Sequence, residues 1–145
     1  MRILLLYILS VLSLTITTHV KAVNDASTNV NYAQIEEETE MRQTTAPTIT
    51  PSQAREKMLA DPSAIILDVR TQQEFDEERI PGAILLPDFE VEARAAEVLP
   101  DRDALILVYC RSGRRSKIAA DLLVSMGYTN VYDFGGIISW PYERE

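Results

Sequence analysis

The sequence predicts an α/β domain built on a parallel sheet, and three observations lead there. Short β-branched apolar runs alternate with helix-patterned segments from Thr48 onward. Helix-cap and turn residues stand at the joints between them. Residues 104–109, "ALILVY", are apolar without a break, as expected of a strand covered on both faces.

Each element can be justified in order. "TIT" at 48–50 is a short first strand; Thr50 then serves as a helix cap, Pro51 as the first helical residue, and "SQAREKML" as helix-forming sequence. "AIILDV" at 64–69 is a buried strand. Thr71 stands three residues before Glu74, the spacing of a capping box, so a helix starts there. "IPGAILLP" supplies a turn at Pro81 and Gly82 and a third strand, and "EVEARAAEVL" is a helix. After the fourth strand, 104–109, Ile118, Leu122 and Met126 recur at helical spacing until Gly127 closes the helix. "NVYDF" at 130–134 completes five strands.

The N-terminus reads differently. Arg2 precedes the apolar stretch 3–16 and the polar "TTHVKA", with small residues Val20 and Ala22 at the positions a signal peptidase prefers. We expect a secretory leader at 1–22, too short in its apolar part for a spanning helix of about 18 residues, and hence no stable membrane insertion after cleavage. Residues 23–47, with the acidic run "EEETE", read as a polar linker or arm. The domain then spans 48–145. Export, most simply to a bacterial periplasm, is the expected localisation.

Cleavage would remove His19, the single histidine, and leave Cys110 as the single cysteine. Histidine-dependent catalysis, a zinc site of histidine and cysteine ligands, and an internal disulfide are then excluded by composition. Loss of Arg2 and Lys21 takes 14 basic residues to 12 against 22 acidic ones, moving the formal charge from -8 to -10. Nucleic acid is not an expected partner.

Cys110 follows the most apolar strand, at the sheet edge where open α/β folds collect ligands. The loop "RSGRR" leads from it into a helix N-terminus, which favours an anion. That setting, beside Arg111, Arg114 and Arg115, should depress the thiol from its usual value of about 8.5. Gly113 permits the positive φ of a tight anion-enclosing loop. A lone cysteine is often only a small buried hydrophobe, but three arginines within five residues point to chemistry.

The stretch "CRSGRRS", 110–116, resembles the active-site loop of the single-domain rhodaneses, the thiosulfate sulfurtransferases. "LDVRTQQEF", "RIPGAILLP" and "FGGIISW" resemble the other recurrent segments of that family, in the same order, and the resemblance runs from Thr48 to about Trp140. Arg79 departs from it, standing where the family often has histidine before "IPGA". The resemblance implies a five-stranded parallel sheet with helices on both faces, and chemistry at Cys110 without a metal or cofactor. Cys110 would take sulfane sulfur from thiosulfate or a related small anionic donor as a persulfide. It would pass the sulfur to a thiophilic acceptor such as cyanide, a small thiol or a protein cysteine. Arg111, Ser112, Gly113, Arg114, Arg115 and Ser116 would hold the donor and the persulfide. Asp68 and Arg70 match the family's Asp-x-Arg segment, with Asp68 supporting the loop, holding one of its arginines, or forming an ordinary ion pair. Gly135, Gly136 and Trp140 match the C-terminal pattern and read as turn and packing residues.

Cysteine phosphatases use a related loop, with five residues between the cysteine and an arginine that clamps phosphate oxygens. Counting from Cys110 reaches Ser116 instead, and Arg115 comes one position early. The count opposes phosphatase or arsenate reductase chemistry on this fold. A persulfide carrier or protein-binding module without turnover is the other alternative.

Overall fold

The computed structural model of the protein describes residues 45–145. The expected leader and residues 23–44 of the arm lie outside the described residues. The end of that arm is part of the folded domain: Ala46 is buried, and its N–H donates to Asp121 Oδ1 at 2.8 Å.

The elements follow one another as α1 (Pro51–Ala60), β1 (Ile65–Asp68), α2 (Gln72–Glu77), β2 (Ile84–Leu85), α3 (Val91–Val98), β3 (Ile106–Cys110), α4 (Arg114–Ser125) and β4 (Val131–Gly136). Short 3-10 turns, Asp88–Glu90 and Ile137–Ser139, precede α3 and follow β4. All strand pairs are parallel, in the order β2-β1-β3-β4.

The sheet described here has four strands where five were expected. Residues 48–50 contribute only a single bridge, Thr48 with Asp133. Pro47 has no N–H, and Thr50 already turns the chain into α1 by accepting the Gln53 N–H at 3.2 Å. Between those two residues no ladder can lengthen. The expected strand around 84–86 is also short, because Pro87 follows it.

Two apolar layers sandwich the sheet. Ile106, Val108 and Cys110 face a layer with Val91, Ala95, Ala119, Ala120 and Leu123 from α3 and α4. Leu107 and Tyr109 face the other, with Ala54 of α1, Ile80, Phe134, Ile137 and Trp140. The alternation is the period-2 geometry of a strand, and it buries all five residues of β3. It also fixes which way the cysteine points.

Candidate active site

Cys110 is the last residue of β3 and only 1% exposed, its side chain on the α3/α4 face. The chain turns through Arg111 and Ser112 to Gly113, which caps α4 with φ 104° and ψ −23°. This left-handed conformation, natural to glycine, brings the Gly113 N–H to 3.1 Å from Cys110 Sγ. Burial alone pushes the thiol up. Hydrogen bonds from the Ser116 hydroxyl and from the N–H groups of Ser116, Gly113 and Ser112 outweigh it, and the thiol lies below its ordinary value. Hydrogen bonding to the charged form therefore wins over desolvation.

Ser116 is fully buried. Its one hydroxyl proton has three acceptors: Gly113 O at 3.0 Å, Gly135 O at 3.1 Å, and the Cys110 sulfur. A hydroxyl that rotates from a carbonyl to a newly formed anion suits a site whose charge changes during reaction.

The end of β4 backs the loop. The pairing of β3 with β4 slips by one residue between Val108–Asp133 and Cys110–Gly136, where Gly135 adopts φ 90°. This bulge lays Gly136 directly under the loop: a Cβ built there would stand 2.4 Å from Arg111 O and 2.5 Å from Ser112 Cα. Ile138 N–H donates to the same Arg111 O at 3.3 Å. The sequence reading treated these glycines as turn residues only. Their second role, close backbone approach, leaves no signal beyond the glycine itself.

The three arginines do different things. Arg115 makes a two-pronged pair with Glu74, Nη1 to Oε2 at 2.8 Å and Nη2 to Oε1 at 2.7 Å. Glu74 also caps α2, where its Oε2 accepts the Thr71 N–H. The Arg115 bonds bring its carboxyl down to about 2, with the Thr71 bonds assisting against partial burial. Arg111 and Arg114 are exposed and have no ion-pair partner among the described residues. Glu74 was legible in the sequence as a cap, but its pairing with Arg115, 41 positions away, was not.

Asp68 and Arg70 stand apart from the loop. Asp68 pairs in register with Tyr109, so its side chain lies on the face opposite Cys110. It is fully buried and accepts from Arg70 Nε at 2.9 Å and Nη2 at 2.6 Å. Arg70, 4% exposed, stacks toward the Tyr109 ring at 5.5 Å. Of the roles considered from sequence, the ordinary ion pair is the one observed, and no loop arginine is held by Asp68. Trp140 is packed at 2% exposed, as expected.

Residues 50–141 match the rhodanese-like domain family. The chain belongs to that family. Among similar proteins, the rhodanese-like chain is 41% identical to the thiosulfate sulfurtransferase PspE of Escherichia coli over 71 residues, 49% of this chain and 68% of the relative. A sulfurtransferase of Allochromatium vinosum is 40% identical over 91 residues, 61% of this chain and 83% of the relative. A solved structure described as a rhodanese with anions from E. coli superposes with a TM-score of 0.54 at 35% identity, covering 57% of this chain and 96% of that one. These relatives support sulfur transfer as the general activity of this rhodanese-like protein.

Proposed function

We propose that the protein carries sulfane sulfur on Cys110, from thiosulfate or a related anionic donor to a thiophilic acceptor. The observation that supports this best is the buried Cys110 sulfur 3.1 Å from the Gly113 N–H, with hydrogen bonding from Ser116, Gly113 and Ser112 holding the thiol below its ordinary value. Those donors favour a thiolate, and the same donors favour the persulfide anion that replaces it.

The thiolate attacks the outer sulfur of thiosulfate. A new S–S bond forms, the old one breaks, and sulfite leaves with the electron pair. Cyanide or a thiolate then attacks the outer sulfur of the persulfide, giving thiocyanate or a new persulfide and returning the Cys110 thiolate. No proton need cross to a base, which suits a site without histidine. The loop from Arg111 to Ser116 holds donor and persulfide in this reading. At the place where a phosphatase arginine would stand the loop has buried Ser116, whose hydroxyl donates to Gly113 O and Gly135 O and favours the charged form of the Cys110 sulfur, so the arginine clamp at that position is missing.

The reading extends to an exported protein whose mature chain begins at Val23. Among the described residues no helix is long and apolar enough to cross a membrane. The test is a thiosulfate-to-cyanide assay beside an aryl phosphatase assay, on wild type and Cys110→Ser. Thiocyanate production that is abolished in Cys110→Ser, with negligible phosphate release, is expected. Cysteine-dependent phosphatase activity above the sulfur-transfer rate would reverse the assignment.

A further inference from the structure

The geometry points to a division of roles among the loop arginines: Arg115 is a positioning residue tied to Glu74, and Arg111 and Arg114 bind the anionic donor. Both terminal nitrogens of Arg115 are committed to the two Glu74 oxygens at 2.7 and 2.8 Å. The charge of Arg115, paired in this way, is largely neutralised by Glu74 and is less available to an incoming dianion. Glu74 is itself held in the α2 cap, its Oε2 accepting from the Thr71 N–H and hydroxyl at 3.1 Å each, so it presents a fixed partner to Arg115. The pair is only partly exposed, 23% at Arg115 and 19% at Glu74, so solvent competes for it poorly. It ties the first turn of α4, which carries Ser116 and follows directly on the Ser112 and Gly113 donors, to α2.

Arg111 and Arg114 have the opposite setting. Arg111 directly follows Cys110 and Arg114 is the first residue of α4, so they flank Ser112 and Gly113 in the chain, and both are exposed. Their charges are uncompensated by any ion pair among the described residues. Long-range attraction and final contact with a small dianion both fall to them.

The donor's identity rests on the sulfur-transfer reading, so the test includes a measurement that does not. Alkylation of Cys110 is followed with iodoacetate, an anion, and iodoacetamide, its neutral counterpart, alongside the KM for thiosulfate. Arg111→Ala and Arg114→Ala should each lower the iodoacetate-to-iodoacetamide rate ratio several-fold and raise KM, about tenfold for an arginine that bonds the donor directly. Glu74→Gln with Arg115→Gln removes the pair without changing net charge. It should slow both reagents together and keep their ratio within about twofold of wild type, because the Glu74–Arg115 pair is close to neutral and its loss alters loop geometry more than local charge. Glu74→Gln by itself uncovers the Arg115 charge and should raise the ratio. A double variant whose ratio falls as far as in Arg111→Ala or Arg114→Ala would overturn the proposal, and so would a ratio that does not rise in Glu74→Gln. If the ratios behave as expected while wild type transfers no sulfur from thiosulfate, the arginine roles stand and the sulfur reading fails.

Discussion

Replacing Gly136 with alanine should disable the loop without touching any group that reacts. The new Cβ would lie 2.4 Å from Arg111 O, 2.5 Å from Ser112 Cα and 2.8 Å from Arg111 C, all backbone atoms with no rotamer to escape into. Ordinary contact needs about 3.5 Å, so the loop must retreat by roughly 1 Å. Cys110 anchors one end of that loop in β3 and Gly113 caps α4 at the other, so the retreat is taken up by Arg111 and Ser112. Misplacement of this size costs about a hundredfold in rate at a preorganised site. Overpacking should cost about 1–3 kcal/mol, a fall in Tm of at least roughly 4 °C for a domain of this size. Gly135→Ala is the control: its Cβ meets nothing within 4 Å, and only the left-handed φ of 90° opposes it. Retreat of the Gly113 N–H from Cys110 Sγ should also move the thiol up, and thiosulfate-to-cyanide kcat/KM, thermal melts and the pH dependence of Cys110 alkylation measure the three effects. Wild-type kcat/KM with an unshifted thiol in Gly136→Ala would refute the idea that β4 sets the position of the loop.

Two further outcomes follow from the hydrogen bonds around the thiol and the ion pair behind it. Ser116→Ala removes a hydroxyl that favours the thiolate, so the alkylation profile should move to higher pH; a charge-assisted bond of about 1.5–3 kcal/mol corresponds to roughly one to two pH units, and an unmoved profile would show that the backbone N–H groups act alone. Glu74 is depressed from 4.5 to about 2 by Arg115, so its contribution to stability is complete above about pH 4.5 and is lost as the pH falls toward 2. By linkage this amounts to no more than about 3 kcal/mol. Urea midpoints should therefore drop through that window in wild type and less in Glu74→Gln, and superimposable acid limbs would contradict the pairing.

Local rules made much of the architecture legible. Thr50, Pro51 and Gln53 mark the start of α1, and Thr71 with Glu74 marks α2; both capping boxes are present. The unbroken apolar run before Cys110 announced a strand buried on both faces, and it delivers the thiol to the sheet edge. What was not legible depends on pairing across the fold. Thr48 has strand-forming neighbours, but the number of bridges it makes depends on where Pro47 and the α1 cap divert the chain. Asp68 looked like support for the loop until the register with Tyr109 placed it on the other face. Arg115 looked equivalent to Arg111 and Arg114 because a carboxylate 41 positions away leaves no mark on local sequence. Gly136 is the same problem in backbone form, since its necessity comes from the loop above it.

The central claim is that Cys110 holds a transferable sulfur, and intact-protein mass spectrometry tests it most directly. After incubation with thiosulfate, wild-type protein should gain the mass of one sulfur atom, with digestion locating it on the peptide that contains Cys110. Cyanide should remove it with stoichiometric thiocyanate, and Cys110→Ser should show neither step. Full sulfur transfer by Cys110→Ser, or a wild-type thiol that takes up no sulfur from thiosulfate or polysulfide, would contradict the account.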